Sequence, residues 1–225
     1  MILTNRLFER EAPSKEAKSI YIFSEGVRRE SDYFNYFVNI DSRINIEVYN
    51  LDDQEDNSPL GLLQIAEECI LKTAENFNNK YDFRDGDEVW IVLDIDKDKN
   101  NSRVPQIDII KRKCKEHKGW SLALSNPCFE VWLYYHLHPS KPTDMSEICK
   151  WWKILVNSEI DGGFDTRKHS IFIEKAISNA EENFELFEGK PDVGCTEVYN
   201  LGNSIVPLIK DKIKLALDQF EGLED

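Results

Sequence analysis

The sequence predicts an α/β fold: a parallel sheet of about four strands flanked by helices, followed by a mostly helical C-terminal part. Three observations carry this reading. Four short apolar or alternating runs are spaced along the first half of the chain. Amphipathic stretches of helical period lie between them, and strand signals fade after residue 127.

The first run is "IYIF" (20–23), which ends at "SEG". A helix over 28–38 follows, with Tyr33, Phe34, Phe37 and Val38 on one face. "INIEVY" (44–49) alternates as a strand does. Residues 60–77 repeat apolar side chains at a helical period, from Leu62 and Leu63 through Ile70 to Phe77. "VWIVL" (89–93) is a continuous apolar run, and 105–116 reads as a helix with Pro105 suited to its first turn. "WSLAL" (120–124) completes a β-α-β-α-β-α-β order, which argues for parallel strands. Segments 128–137, 144–157, 169–187 and 197–219 read as helices, interrupted by "DGGFD" (161–165) and "EGKPDVG" (188–194). The expected division is an α/β unit over 1–135 and a helical region over 136–225 packed on it.

Composition bounds the function. With 225 residues the chain can bury a core without staples, and 41% hydrophobic and 31% charged residues place it among soluble globular proteins. The five cysteines include no CxxC pair, which argues against a zinc site or a disulfide framework and for a reducing cytoplasm. Charges at Arg6, Glu9, Arg10 and Glu11 leave no signal-peptide core, and no apolar run is long enough for a bilayer, so no membrane partner is expected. A net charge of -14 excludes a general DNA-coating protein; nucleic acid would be met through local basic spots or a bound metal. The densest basic run, "KRKCKEHK" (111–118), reads as a solvated helix face ahead of a nucleic-acid footprint.

The chemistry gathers where strands end. "IVLDIDKD" (91–98) runs from apolar residues into Asp94, Asp96 and Asp98. Glu25 follows the first strand in the same way, and ligands of open parallel sheets bind beyond the carboxyl ends of the strands. Residues two apart in extended chain point to one side, so Asp94 and Asp96 aim together, with Asp98 able to join. Carboxylates sharing a site need a cation or a raised pKa, and Mg²⁺ or Mn²⁺ with oxygen ligands is the natural partner. The competing reading takes "DKDKNNSR" as a solvated loop. A DxD after a strand also occurs in phosphatases and nucleotidyltransferases, although Asp98 departs from the haloacid-dehalogenase-like phosphatase pattern.

"SEGVRRESDYF" (24–34), "VWIVLDIDKD" (89–98) and "LALSNPCFEVWLYYH" (122–136) together resemble the RloB-like proteins. That group includes the abortive-infection protein AbiLii and is described as carrying a Toprim-type domain. "CTEVYNLGNSI" (195–205) is similar to the family's C-terminal Thr-x-Val-x-x-Leu pattern. The first family motif often reads Glu-Gly-x-x-Thr-Glu, and here Arg29 stands in place of the Thr. The resemblance implies metal-dependent cleavage of nucleic-acid phosphodiesters, DNA or RNA, in anti-phage defence, with an ATPase as partner. A non-catalytic subunit that binds or restrains that ATPase is the alternative.

On this reading Asp94 and Asp96, with Asp98, hold the metal, and Glu25 is a further ligand or the general acid/base. Glu130 is a fourth site residue, placed at the start of a helix with Asn126 as N-cap and Pro127 as first helical residue. Arg28, Arg29, Asn126 and Lys168 are the expected phosphate or nucleic-acid contacts, against the alternative of solvated loop and helix ends. His136 reads as a satisfied core histidine.

Overall fold

Strand β1 (Lys18–Ser24) lies inside the observed sheet, between the edge strand β2 (Ile44–Tyr49) and the central strand β3 (Glu88–Asp94). The computed structural model describes residues 8–26, 28–52, 54–72, 79–95, 103–160 and 162–221. Beyond β3 stand β4 (Trp120–Asn126) and the short β7 (Cys195–Thr196), in the order β2-β1-β3-β4-β7. The first four strands are parallel; β7 runs antiparallel to β4, with Ser125 opposite Thr196. The sheet is thus mostly parallel, as expected, with one strand more than the apolar runs indicate. Two residues of pairing are too short to leave a periodic signal.

Helices cover both faces, and that explains the continuous apolar strands. Ile20, Ile22, Trp90, Val92 and Ala123 point into one cluster. It is shared with α1 (Arg29–Asn35), α4 (Glu130–Tyr135), α5 (Cys149–Ser158), α7 (Ile173–Glu182) and α8 (Val198–Glu221). Tyr21, Phe23, Val89, Ile91, Leu93 and Leu124 point the other way, onto α2 (Pro59–Ile70) and α3 (Arg103–Glu116). Edge strand β2 alternates buried and half-buried residues, matching its alternating sequence. A two-stranded hairpin, β5 (Leu186–Phe187) and β6 (Lys190–Pro191), forms a second small sheet beside β4. Among the described residues no helix is long and apolar enough to cross a membrane.

Several boundaries differ from the sequence reading. Helix α2 ends at Ile70, where Leu71 turns extended and the Asn79 side chain donates to the Ile70 carbonyl. In place of the expected 169–187 helix, α6 (Thr166–His169) ends where it should begin, a 3₁₀ turn (Ser170–Phe172) follows, and α7 ends at Glu182, before β5. Asn126 is not an N-cap, nor is Pro127 the first helical residue. Pairing with β7 keeps Asn126 in β4, the Asn126–Pro127 peptide is cis, and Phe129 precedes the helix. The expectation of no disulfide is also corrected: Cys128 and Cys149 are joined, whereas Cys69, Cys114 and Cys195 are free and buried. A single pair separated by 21 residues carries no spacing motif that sequence could show.

Candidate active site

Register brings Glu25 and Asp94 to one edge. Ser24 pairs with Val92, so β1 and β3 finish side by side, and the Glu25 N–H donates to the Val92 carbonyl at 3.3 Å. Asp94 closes β3 opposite Ser125 of β4, whose carbonyl accepts the Ile95 N–H at 2.8 Å. Two short helices add acids to the same edge. Glu30, in the first turn of α1, is 8% exposed, and Glu130, the first residue of α4, is 4% exposed.

These carboxylates feel one another. Burial pushes the Asp94 carboxyl well above its ordinary range, and the charges of Glu30, Glu25 and Glu130 add to it; Arg103 pulls the other way. Burial likewise raises Glu30 to about 7, reinforced by Glu130 and Glu25. Burial raises Glu130 too, and Lys153 and Arg29 offset part of that.

Glu25 has a dedicated counter-charge. Arg103, the first residue of α3, donates from Nη1 to Oε1 of Glu25 at 2.8 Å and from Nη2 to Oε2. Gly26 leaves room beside this pair: a Cβ there would collide with the Glu30 carboxyl group. Among the described residues the only three metal-ligating side chains with donor atoms within 4.8 Å of one another are Cys128, Glu130 and Cys149. The carboxylates of Glu25, Glu30, Asp94 and Glu130 are therefore electrostatic neighbours without forming a tight cage. That arrangement fits Mg²⁺, which keeps several waters and takes only one or two protein carboxylates.

A family model described as RloB-like protein matches residues 20–205, most of the chain. The chain belongs to the RloB-like family. No curated protein and no solved structure matches it.

In this RloB-like chain the other expected site residues that the structure describes are dispersed. Asp96 and Asp98 lie outside the described residues. Arg28 and Arg29 line an open cleft of about 640 Å³ between α1 and α6, and Arg29 donates to the Phe164 carbonyl at 3.4 Å. Lys168 is exposed on α6, but its neighbour Arg167 is the residue that lines the cleft, held by Asp165 at 2.9 and 2.8 Å. Asn126 is buried and donates from Nδ2 to the Pro191 carbonyl at 2.8 Å, bracing β4 against the hairpin.

Sequence reasoning missed Glu30, Arg103 and Lys153. Glu30 had a signal: it is the last residue of "EGVRRE", where the RloB-like first motif ends in Glu. Arg103 follows "DKDKNNS" and looks like one more loop charge. Only the fold shows it to be 7% exposed.

Proposed function

We propose that this RloB-like chain is a Toprim-like, Mg²⁺- or Mn²⁺-dependent nuclease that cleaves nucleic-acid phosphodiesters in cytoplasmic anti-phage defence, working with an ATPase partner. One observation supports it above the others. Glu25, Glu30, Asp94 and Glu130 meet at the carboxyl edge of a parallel sheet, desolvated and mutually repelling. Burying like charges together is costly, and an arrangement that accepts a divalent cation gives the cost a purpose.

Asp94, with Asp96 beside it in sequence, is the expected holder of the ion. When bound, the ion supplies charge neutralisation for the phosphate and a more acidic water. Glu30, held at about 7, is poised to exchange a proton near neutral pH. Arg103 keeps Glu25 oriented at the strand end. Arg28 and Arg29 sit on the adjoining cleft, where a phosphodiester backbone would find positive charge.

The bidentate hold of Arg103 on Glu25 favours a second reading, a non-catalytic subunit in which the acids serve only the fold or the ATPase contact. The two readings separate in one experiment. The chain is co-expressed with its ATPase, and labelled DNA and RNA are incubated with Mg²⁺ or Mn²⁺. Cleavage is expected for wild type and lost in Glu25→Ala and Asp94→Asn, with phage protection lost in parallel. Variants that protect cells as wild type does, while still binding the ATPase, establish the subunit reading.

A further inference from the structure

We propose that Cys128, Cys149 and Glu130 form, in the reduced protein, a binding site for a zinc-class divalent cation. Two sulfurs and a carboxylate oxygen lie within 4.8 Å of one another, and all three residues are buried. Cys149 Sγ is 3.6 Å from Glu130 Oε2. Cys128 stands just before α4, Glu130 opens that helix, and Cys149 opens α5, with the two cysteine Cα atoms 5.6 Å apart. Trp132 and Trp152, each 0% exposed, pack these helices into the same apolar cluster, so the donors are carried on rigid elements.

The donor set selects the ion. Thiolates bind zinc and its neighbours in preference to magnesium, and three protein ligands leave a fourth position for water. Two thiolates and one carboxylate carry three negative charges against the ion's two positive ones. Arg29 and Lys153, which already act on the Glu130 carboxyl, offset the remainder.

Disulfide and metal exclude each other, because the sulfurs bond either to one another or to the ion. Opening the disulfide takes a reductant. A phosphine consumes one water, becomes the phosphine oxide and leaves two thiols; a dithiol does the same by exchange and ends as a disulfide. Each thiol then loses its proton to solvent as its sulfur–metal bond forms. Glu130 belongs both to this set and to the acid cluster, so occupancy here draws one carboxylate away from Asp94 and Glu30. The site stands independently of the nuclease reading.

Cobalt(II) is the probe, since thiolate ligation gives a near-ultraviolet charge-transfer band that oxygen ligands do not. The full chain, reduced with a phosphine and freed of it anaerobically, is titrated with Co²⁺. The expected result is that band, saturating at one ion per chain and displaced by Zn²⁺. It should be absent from the oxidised chain and from Cys128→Ser, unaffected in Cys195→Ser, and weakened roughly tenfold or more in affinity in Glu130→Gln. Should Cys128→Ser fail to fold, the oxidised wild type and Glu130→Gln carry the comparison. No band in the reduced wild type overturns the site, as does a band that survives Cys128→Ser or that Glu130→Gln leaves at full affinity.

Discussion

Arg103 grips Glu25 through both terminal guanidinium nitrogens, joining the start of α3 to the end of β1 with side chains 8% and 13% exposed. A pair this buried is strong because each partner would be costly alone, not because the pair itself adds much. Arg103→Met should therefore destabilise the protein by about 3–5 kcal/mol, taking from Glu25 its bidentate guanidinium among other acids. Adding Glu25→Leu should recover much of that loss. Urea unfolding of the two single variants and the double variant measures the coupling; additive losses would show the pair to be energetically idle.

Glu30 sets a pH dependence. Its folded pKa of about 7 lies above the ordinary carboxyl value of 4.5, so the folded state binds the extra proton in that window. Stability is then fully present below about 4.5 and falls as pH rises through about 7. The change is on the order of 3 kcal/mol at most. Glu30→Gln should flatten the slope and raise stability at neutral pH. Asp94→Asn should likewise leave the metal-free protein at least as stable as wild type, because burial raises that carboxyl too. Chemical denaturation across this range decides it; parallel curves for wild type and Glu30→Gln would remove Glu30 as the source.

Magnesium should reverse the trend. If the proposed function holds, the ion would bind the ionised carboxylates, so its stabilising effect should grow as pH rises and protons leave. Thermal melts with and without Mg²⁺ should diverge above about pH 7, near the Glu30 value. In Asp94→Asn the two melts should coincide. A Mg²⁺ shift that is the same at every pH would place the ion elsewhere.

Gly26→Ala tests the space behind the cluster. The new methyl would meet the far end of the Glu30 side chain, which is flexible. The stability cost should be within about 1 kcal/mol, since the carboxyl group is able to swing aside. The pH slope assigned to Glu30 should shrink nonetheless. Unchanged titration in this variant would mean that Glu30 has no need of the gap.

Tyr33→Phe examines the core beside the site. The Tyr33 hydroxyl meets His136 Nε2 at 3.0 Å, and His136 Nδ1 lies 3.0 Å from the Trp132 carbonyl. Nδ1 must carry the proton to donate to a carbonyl, so Nε2 accepts from the tyrosine. Burial lowers His136 to about 3, which keeps the ring neutral. Losing the hydroxyl should cost about 1–3 kcal/mol, equally at pH values on either side of an ordinary histidine pKa. A loss confined to one side would show the ring to titrate.

The fold was legible because its strands are continuous apolar runs separated by helical periods, a pattern that burial on both sheet faces requires. Glu25 and Asp94 were legible for the same reason: each acid stands within two residues of the end of such a run. Arg103 and Lys153 were not, because a cation's role depends on which carboxylate the fold brings to it, 78 residues away in the case of Arg103. Asn126 misled because an Asn-Pro before an apolar run is the ordinary signature of a helix start. The pairing of β4 with the distant Cys195 overrode it.

Helix α8 has a consequence for how the molecule is made. Its Leu201, Ile205, Ile209 and Ile213 complete the cluster under β1, β3 and β4, and Lys212 reaches back to Glu11 at 2.9 Å. On the ribosome the four parallel strands emerge first, and at typical synthesis rates roughly 5–20 s pass before α8 is complete. During that interval one apolar side of the sheet waits for its cover, inviting chaperones or misassociation. The nascent chain also carries its acid-bearing segments before the helical packing that holds α4 in place is finished. The acid-bearing edge therefore lacks its full support until α8 has been made.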